Sequence, residues 1–124
     1  MSADSTRKKG SGGEELARKY LKRKGYSILD VNYQRPYGEV DIIARDGATI
    51  VFVEVKSAST TSFGHPLSWV SPRKQGRIIR TSLTYLSTHG LNDSPVRFDV
   101  LAVGPLGDIS HVRDAFSLPD DVFM

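Results

Sequence analysis

The chain contains no cysteine, so a disulfide framework, a thiol nucleophile and a cysteine-ligated zinc are all excluded. It contains no apolar run of the length that a bilayer-spanning helix needs. Its charged N-terminus lacks the apolar stretch of a secretory signal, so a cytoplasmic location is the expectation. Internal repeats and a glycine-rich phosphate loop are also missing. What is present is 124 residues with 39% hydrophobic and 25% charged content, enough for one soluble globular domain with a proper single core.

The net charge is only +3, but it is unevenly spread. Eight of the seventeen basic residues lie between Arg7 and Lys24, and Arg73, Lys74, Arg77 and Arg80 fall close together further on. Such clusters attract polyanions, nucleic acid above all. A single charge run is more commonly a solvated helix face. Two runs flanking an acidic group favour a phosphate backbone.

That acidic group lies in the stretch GEVDIIARDGATIVFVEVK, residues 38–56. Two apolar, β-branched runs separated by Asp46-Gly47 predict a β-hairpin. A loop of two or four residues makes paired residue numbers sum to 93 or 95. Glu39 and Asp41 then share a face with Glu54 and Lys56. Val40, Ile42 and Ala44 share the other face with Val51, Val53 and Val55. A three-residue loop would scatter this grouping, because side chains alternate with a period of two. Carboxylates crowded across paired strands repel one another. Lys56 offsets one charge, and the remainder call for a cation such as Mg²⁺, a hard ion that takes carboxylates, water and substrate phosphates. The Val55 carbonyl could add a further oxygen. The alternative is a solvated sheet face with ordinary surface charges and structural ion pairs.

Residues 1–10 are small, polar and charged and read as a disordered tail. A helix is expected to start near Gly12 or Gly13, with Glu14 and Glu15 in its first turn. Leu16, Ala17, Tyr20 and Leu21 form its apolar stripe, and Gly25 suits the position just past its end. Residues 26–33 read as a strand leading to a break at Pro36. After the hairpin comes a polar loop, SASTTSFGHP, whose length suits a lid or substrate contact; its His65 is expected to be neither ligand nor catalyst. Ser71-Pro72 is an N-cap followed by a first-turn proline. It starts a helix that carries Ile78, Ile79, Leu83, Tyr85 and Leu86 and ends near Gly90. Strands are expected at 95–103 and 109–112, and residues 118–124 form a tail. The order α-β-β-β-α-β-β predicts one α/β domain over 11–117, with a mixed sheet flanked by helices.

An Asp on one strand and Glu-x-Lys on the next, within this element order, resembles the PD-(D/E)xK nuclease superfamily. More closely, the chain resembles the bacterial YraN-like family of predicted endonucleases, similar to archaeal Holliday-junction resolvases. The matching pieces are GSGGEELARKYL at 10–21, GEVDIIARDG at 38–47, FVEVK at 52–56, Phe63-Gly64, VSPRKQGRI around Lys74, RFDV at 97–100 and HVRDAF at 111–116.

The resemblance implies a restriction-endonuclease-like fold and a DNA endonuclease dependent on Mg²⁺ or Mn²⁺, with branched or repair intermediates among its substrates. It assigns Asp41 and Glu54, with the Val55 carbonyl, to the metal and Lys56 to catalysis. Glu14 matches an acidic residue of the first helix that approaches the metal. Glu39 matches GE-x-D and would support the ligands through a hydrogen bond or ion pair. Lys74 matches a basic residue suited to phosphate, with Arg73, Arg77 and Arg80 beside it on the nucleic-acid-binding face. Asp99 reads as structural, pairing with Arg97 or capping a turn. The resemblance departs at Val40, where the superfamily has proline, and at Ala58, where the family often has arginine. Cutting a four-way junction takes two incisions, which implies a symmetric homodimer. The competing readings are a non-catalytic nucleic-acid-binding module and a small scaffold for a protein partner.

Overall fold

The computed structural model describes residues 2–58 and 69–118, with side chains from Gly12 onward. The elements follow in the order α1 (Ser2–Arg23), β1 (Ser27–Arg35), β2 (Gly38–Asp46), β3 (Thr49–Ser57), α2 (Pro72–Thr88), β4 (Val96–Val103) and β5 (Ile109–Phe116). This is the expected α-β-β-β-α-β-β order. The strands form one five-stranded sheet in the order β1-β2-β3-β4-β5. Only β3 and β4 are parallel, because α2 carries the chain across between them.

The hairpin has the register that Asp46-Gly47 implied. Ile42 pairs with Val53 and Asp46 with Thr49, a sum of 95 around a two-residue turn in which Gly47 has φ +62°. The expectation of one apolar and one acidic face needs correction, however. Both faces of the hairpin are buried. Ile42, Ala44, Val51 and Val53 pack with Ala17, Leu21 and Leu101 on the α1 side. Ile43, Ile50 and Phe52 pack with Ile78, Tyr85 and Phe98 on the α2 side. A crossover sheet is covered on both faces, so its strands read as nearly continuous apolar runs. Val40 is a second correction: it packs with Tyr33 on the α2 side rather than with Ile42 and Ala44. The alternation breaks beside Asn32, which takes φ +51°, a left-handed conformation that asparagine tolerates better than most residues.

α1 runs from Ser2, so its start lies N-terminal to Gly12 and Gly13 and takes in residues 2–10, set apart above as a tail. Propagating a helix costs less than nucleating one, and the packed segment around Ala17 and Leu21 supplies the nucleus. At the other end Tyr26 N–H donates to Leu21 C=O (2.9 Å) and Gly25 N–H to Lys22 C=O (3.0 Å). This closing turn needs φ > 0, and Gly25 has φ +92°. Ser71 caps α2 as expected, accepting from Lys74 N–H at 3.2 Å, with Pro72 in the first turn.

On the α2 side an aromatic row crosses the sheet. Phe98 stacks between Phe52 (5.6 Å) and Phe116 (5.0 Å), and Tyr85 meets Phe52 and Tyr33 edge-on; such offset and edge contacts suit ring quadrupoles. β5 extends past the expected 109–112 to Phe116. It does so through an irregularity opposite Phe98 and Val100, where Asp114 has φ +55° and its N–H donates to Asp99 Oδ1 at 3.0 Å. Of the C-terminal tail, Leu118 packs against the α2-side core, and residues 119–124 lie outside the described residues. So do residues 59–68, which hold Phe63, Gly64 and His65. No helix among the described residues is long and apolar enough to cross a membrane.

Candidate active site

β2 and β3 pair regularly from the turn as far as Ile42↔Val53, and their register ends there. Regular pairing would continue to Val40 and Val55. Instead the Asp41 carboxylate takes the Val55 N–H, with Oδ2 accepting at 2.8 Å. In an extended strand the N–H and C=O of one residue point to the same edge. The Val55 carbonyl therefore faces the gap in which Asp41 sits.

Glu54 stands on the α2 face, in phase with Ile50 and Phe52, and is only 6% exposed. Its carboxylate hydrogen-bonds that of Asp41. Two carboxyl groups in such contact cannot both ionise cheaply in a buried place. Burial first, and the Glu54 charge second, push Asp41 up to about 8. The pair thus holds a proton or asks for a cation.

In this structure an ammonium answers. The Lys74 Nζ of α2 contacts Glu54 Oε2. Burial alone would lower the Lys74 pKa, but the hydrogen bond and charge of Glu54, helped by Asp41 and Glu39, raise it. Lys56, half-buried, follows Glu54 by two residues and so lies on the same side of β3. Lys56 was expected to offset the acidic charge; Lys74, assigned to phosphate on the sequence, is the lysine in contact with it.

Glu14 approaches from α1. With its NH₂ turned toward the helix, the Asn32 amide donates to both Glu14 carboxylate oxygens (3.2 and 3.3 Å). Burial raises the Glu14 pKa, partly opposed by Asn32 and Arg18 and reinforced by the charges of Glu39 and Glu54. Glu14 therefore borders the site, tied to Asn32 and coupled to Glu54 through charge alone. Glu39 is exposed and accepts from Gln34 Nε2 at 3.2 Å, the hydrogen-bonded role weighed for it above.

Among the described residues no three acidic or histidine side chains converge in a metal-holding group. The donor set is two carboxylates and a carbonyl. That set fits Mg²⁺, which is bound through one or two carboxylates and completes its octahedron with water and substrate phosphate. A cation already drawn to Glu54 supports the fit.

The basic residues of α2 continue from Lys74 along one wall of an open cleft of about 1130 Å³. Arg73, Arg77 and Arg80 lie on the helix side, and Gln34, Arg35, Pro36 and Tyr37 of the β1–β2 turn form the opposite wall. Gly38 sets their separation. A Cβ there would stand 2.8 Å from Thr81 Oγ1 and 2.9 Å from Arg77 C=O, so only glycine lets the turn rest on the helix backbone. The cleft adjoins the carboxylates through Glu39 and Lys74.

On the α1 face, toward the β2–β3 turn, lies a separate polar network. Arg97 binds Asp99 through Nε (2.8 Å) and Nη2 (2.9 Å) and Asp46 through Nη1 (3.0 Å). His111 bridges Asp99 Oδ2 (2.8 Å) and Tyr20 OH (3.1 Å). Asp99 therefore pairs with Arg97 and also caps the β5 irregularity, a structural role on both counts. The RFDV and HVRDAF pieces meet here, away from Asp41 and Glu54.

A mixed sheet covered by a helix on each face, with a carboxylate pair where two of its inner strands part, defines an α/β domain consistent with the restriction-endonuclease-like fold. The chain belongs to the uncharacterised protein family UPF0102, whose model matches residues 13–103. This is the YraN-like family to which the sequence pieces pointed. A UPF0102 protein of Syntrophus aciditrophicus is 51% identical over 112 residues, covering 88% of each chain. Relatives in Geotalea uraniireducens and Clostridioides difficile are 46% and 43% identical over 113 residues, covering 88% and 90% of this chain and 89% and 99% of their own.

Proposed function

We propose that the protein is a metal-dependent endonuclease that hydrolyses phosphodiester bonds in DNA, with branched or repair intermediates as its substrates. The observation that carries this reading is the hydrogen-bonded Asp41–Glu54 pair beside the freed edge of Val55, with two lysines at the same site. Asp41, Glu54 and the Val55 carbonyl would hold Mg²⁺ or Mn²⁺. Bound there, such an ion supplies a Lewis acid for the phosphoryl oxygen and lowers the pKa of a water.

The chain's own groups do the rest. Water attacks phosphorus and gives up a proton to solvent, the bond to the leaving oxygen breaks, and that oxygen takes up a proton from solvent. Lys56, on the carboxylate side of β3, stabilises negative charge that develops on the phosphate. Glu14, held by Asn32, and Glu39, held by Gln34, keep the surroundings acidic enough to favour cations. Arg73, Arg77 and Arg80 engage the nucleic acid without reading its sequence. If a four-way junction is the substrate, paired incisions call for a two-fold dimer.

The Lys74–Glu54 contact favours a second reading, in which the ammonium neutralises the pair permanently and the protein binds nucleic acid without cutting it. The two separate in one experiment. A labelled four-way junction, linear duplex and single strand are incubated with the protein in Mg²⁺ and in Mn²⁺, beside the Glu54→Ala protein. Metal-dependent cutting that disappears with Glu54 is the expected result. Binding without cutting on every substrate would replace the enzyme with the binding module.

A further inference from the structure

The cleft between α2 and the β1–β2 turn has a feature that phosphate binding alone does not call for. Two of its arginines lie over aromatic rings. The Arg80 guanidinium sits 4.1 Å from the centroid of the Tyr37 ring and that of Arg35 4.2 Å from the centroid of Tyr33. At such distances guanidinium and ring are in face contact. Each stack is anchored. Tyr37 OH hydrogen-bonds Thr84 Oγ1 of α2, and Arg35 Nη1 donates to Gln34 C=O at 2.7 Å. Tyr33 is buried in the core, while both arginines are exposed. A guanidinium held this way has given up rotamer freedom in advance, and both arginines line the cleft.

Planar cations with a free face are what unpaired bases stack on. In duplex DNA those base faces are hidden inside the helix. Of the remaining cations of the cleft, Arg73 and Arg77 lie over no ring among the described residues and suit phosphates, while Lys74 is held by Glu54. The cleft volume, about 1130 Å³, exceeds the usual upper end of a small-molecule pocket, about 1,000 Å³, and the cleft is open to solvent. An extended polyanion fits these features better than a compact ligand.

We propose that this cleft is a binding site for single-stranded nucleic acid, in which Arg35 and Arg80 stack on unpaired bases while Arg73 and Arg77 hold the intervening phosphates. It rests on the reading of the protein as one that acts on nucleic acid. It goes beyond that reading in naming the strand: an unpaired segment leading away from the Asp41–Glu54 site. The protein then recognises those branched or repair intermediates that carry a single-stranded arm.

The test is fluorescence anisotropy with the full chain in EDTA, where nothing is cut, on a mixed-sequence single strand and a blunt duplex of equal length. Single strand should bind about tenfold more tightly, the size of one good stacking contact. Arg35→Lys and Arg80→Lys keep the charge and lose the plane. Each should weaken single-strand binding about tenfold, leave duplex binding within about twofold, and leave the salt slope unchanged. Unchanged thermal melts show that both variants fold. Equal losses on the two substrates, no loss on either, or displacement of the strand by inorganic polyphosphate or an acidic peptide at the same concentration would overturn the proposal. The Glu54→Ala protein is run alongside. Single-strand preference with no cleavage by the wild type sinks the nuclease reading alone, and cleavage without single-strand preference sinks this one alone.

Discussion

Replacing Asp99 tests whether the α1-face network holds the sheet together. Its side chain is fully buried and accepts from Arg97 Nε and Nη2, His111 Nε2 and the Asp114 N–H, all between 2.8 and 3.0 Å. Asp99→Ala removes the anion and leaves a largely buried guanidinium with Asp46 as its remaining carboxylate partner. Breaking a buried pair from one side costs about 3–5 kcal/mol. For a chain of this size each kcal/mol lowers the melting temperature by roughly 3–5 °C, so a fall of roughly 9–25 °C at pH 7 is expected in calorimetry.

The pH dependence gives an independent check. Burial alone would raise the Asp99 pKa, but the hydrogen bonds from His111, Arg97 and the Asp114 N–H outweigh it and lower the pKa below 3.8. A folded pKa below the unfolded one means that the unfolded chain binds the extra proton. This stabilisation is complete above pH 3.8 and is lost as pH falls through the folded pKa. Asp99→Asn keeps the shape and removes the titration, so its stability should fall less steeply with acid than that of the wild type. The reasoning fails if Asp99→Ala costs under about 1 kcal/mol, below the range for a broken buried pair, or if Asp99→Asn keeps the wild-type acid limb.

Three further outcomes follow from local geometry. Gly38→Ala drives a Cβ into Arg77 C=O and Thr81 Oγ1. It should cost about 1–3 kcal/mol in denaturant unfolding and, by widening the cleft, weaken nucleic-acid binding without touching a charge. Ser71→Ala removes the α2 cap and should cost about 1 kcal/mol by the same assay; no loss would mean that the helix start is held by packing instead. Asp41, pushed up to about 8, carries its proton at pH 7, so Mg²⁺ bound as proposed would have to displace it. Calorimetric titration in buffers of different ionisation heat should show about one proton released near pH 6 and affinity rising with pH until it levels off above pH 8. The same shift makes the metal-free fold lose stability as pH climbs from 3.8 toward 8, because the folded state keeps a proton that the unfolded chain gives up. Mg²⁺ binding that releases no proton would remove Asp41 from the ligand set.

Local chemistry made much of this legible. The hairpin register followed from Asp46-Gly47 and the period of two, and with it the meeting of Asp41 and Glu54. The cap at Ser71 and the close at Gly25 followed from the same short-range rules. What stayed hidden depends on elements docking. The period of two places Val40 with Ile42, but Asn32 on the neighbouring strand takes a left-handed conformation where the phase breaks, and its amide contacts Glu14 on α1. Nothing beside Val112 in sequence marks a left-handed Asp114 that lets β5 continue to Phe116; the support comes from Asp99 on β4.

Lys74 shows the same limit at the site itself. On its helix it belongs to a basic face, yet the docking of α2 over β2 and β3 brings its ammonium onto Glu54. Helical spacing groups Lys74 with Arg73 and Arg77, and only the packing of one layer on another separates its role from theirs. If Mg²⁺ enters this site, it must compete with Lys74 for Glu54. The lysine freed in that exchange stands beside the cleft, within the cluster that would hold the substrate's phosphates. Metal loading and substrate binding would then reinforce each other through one side chain, which no count of charges along the chain reveals.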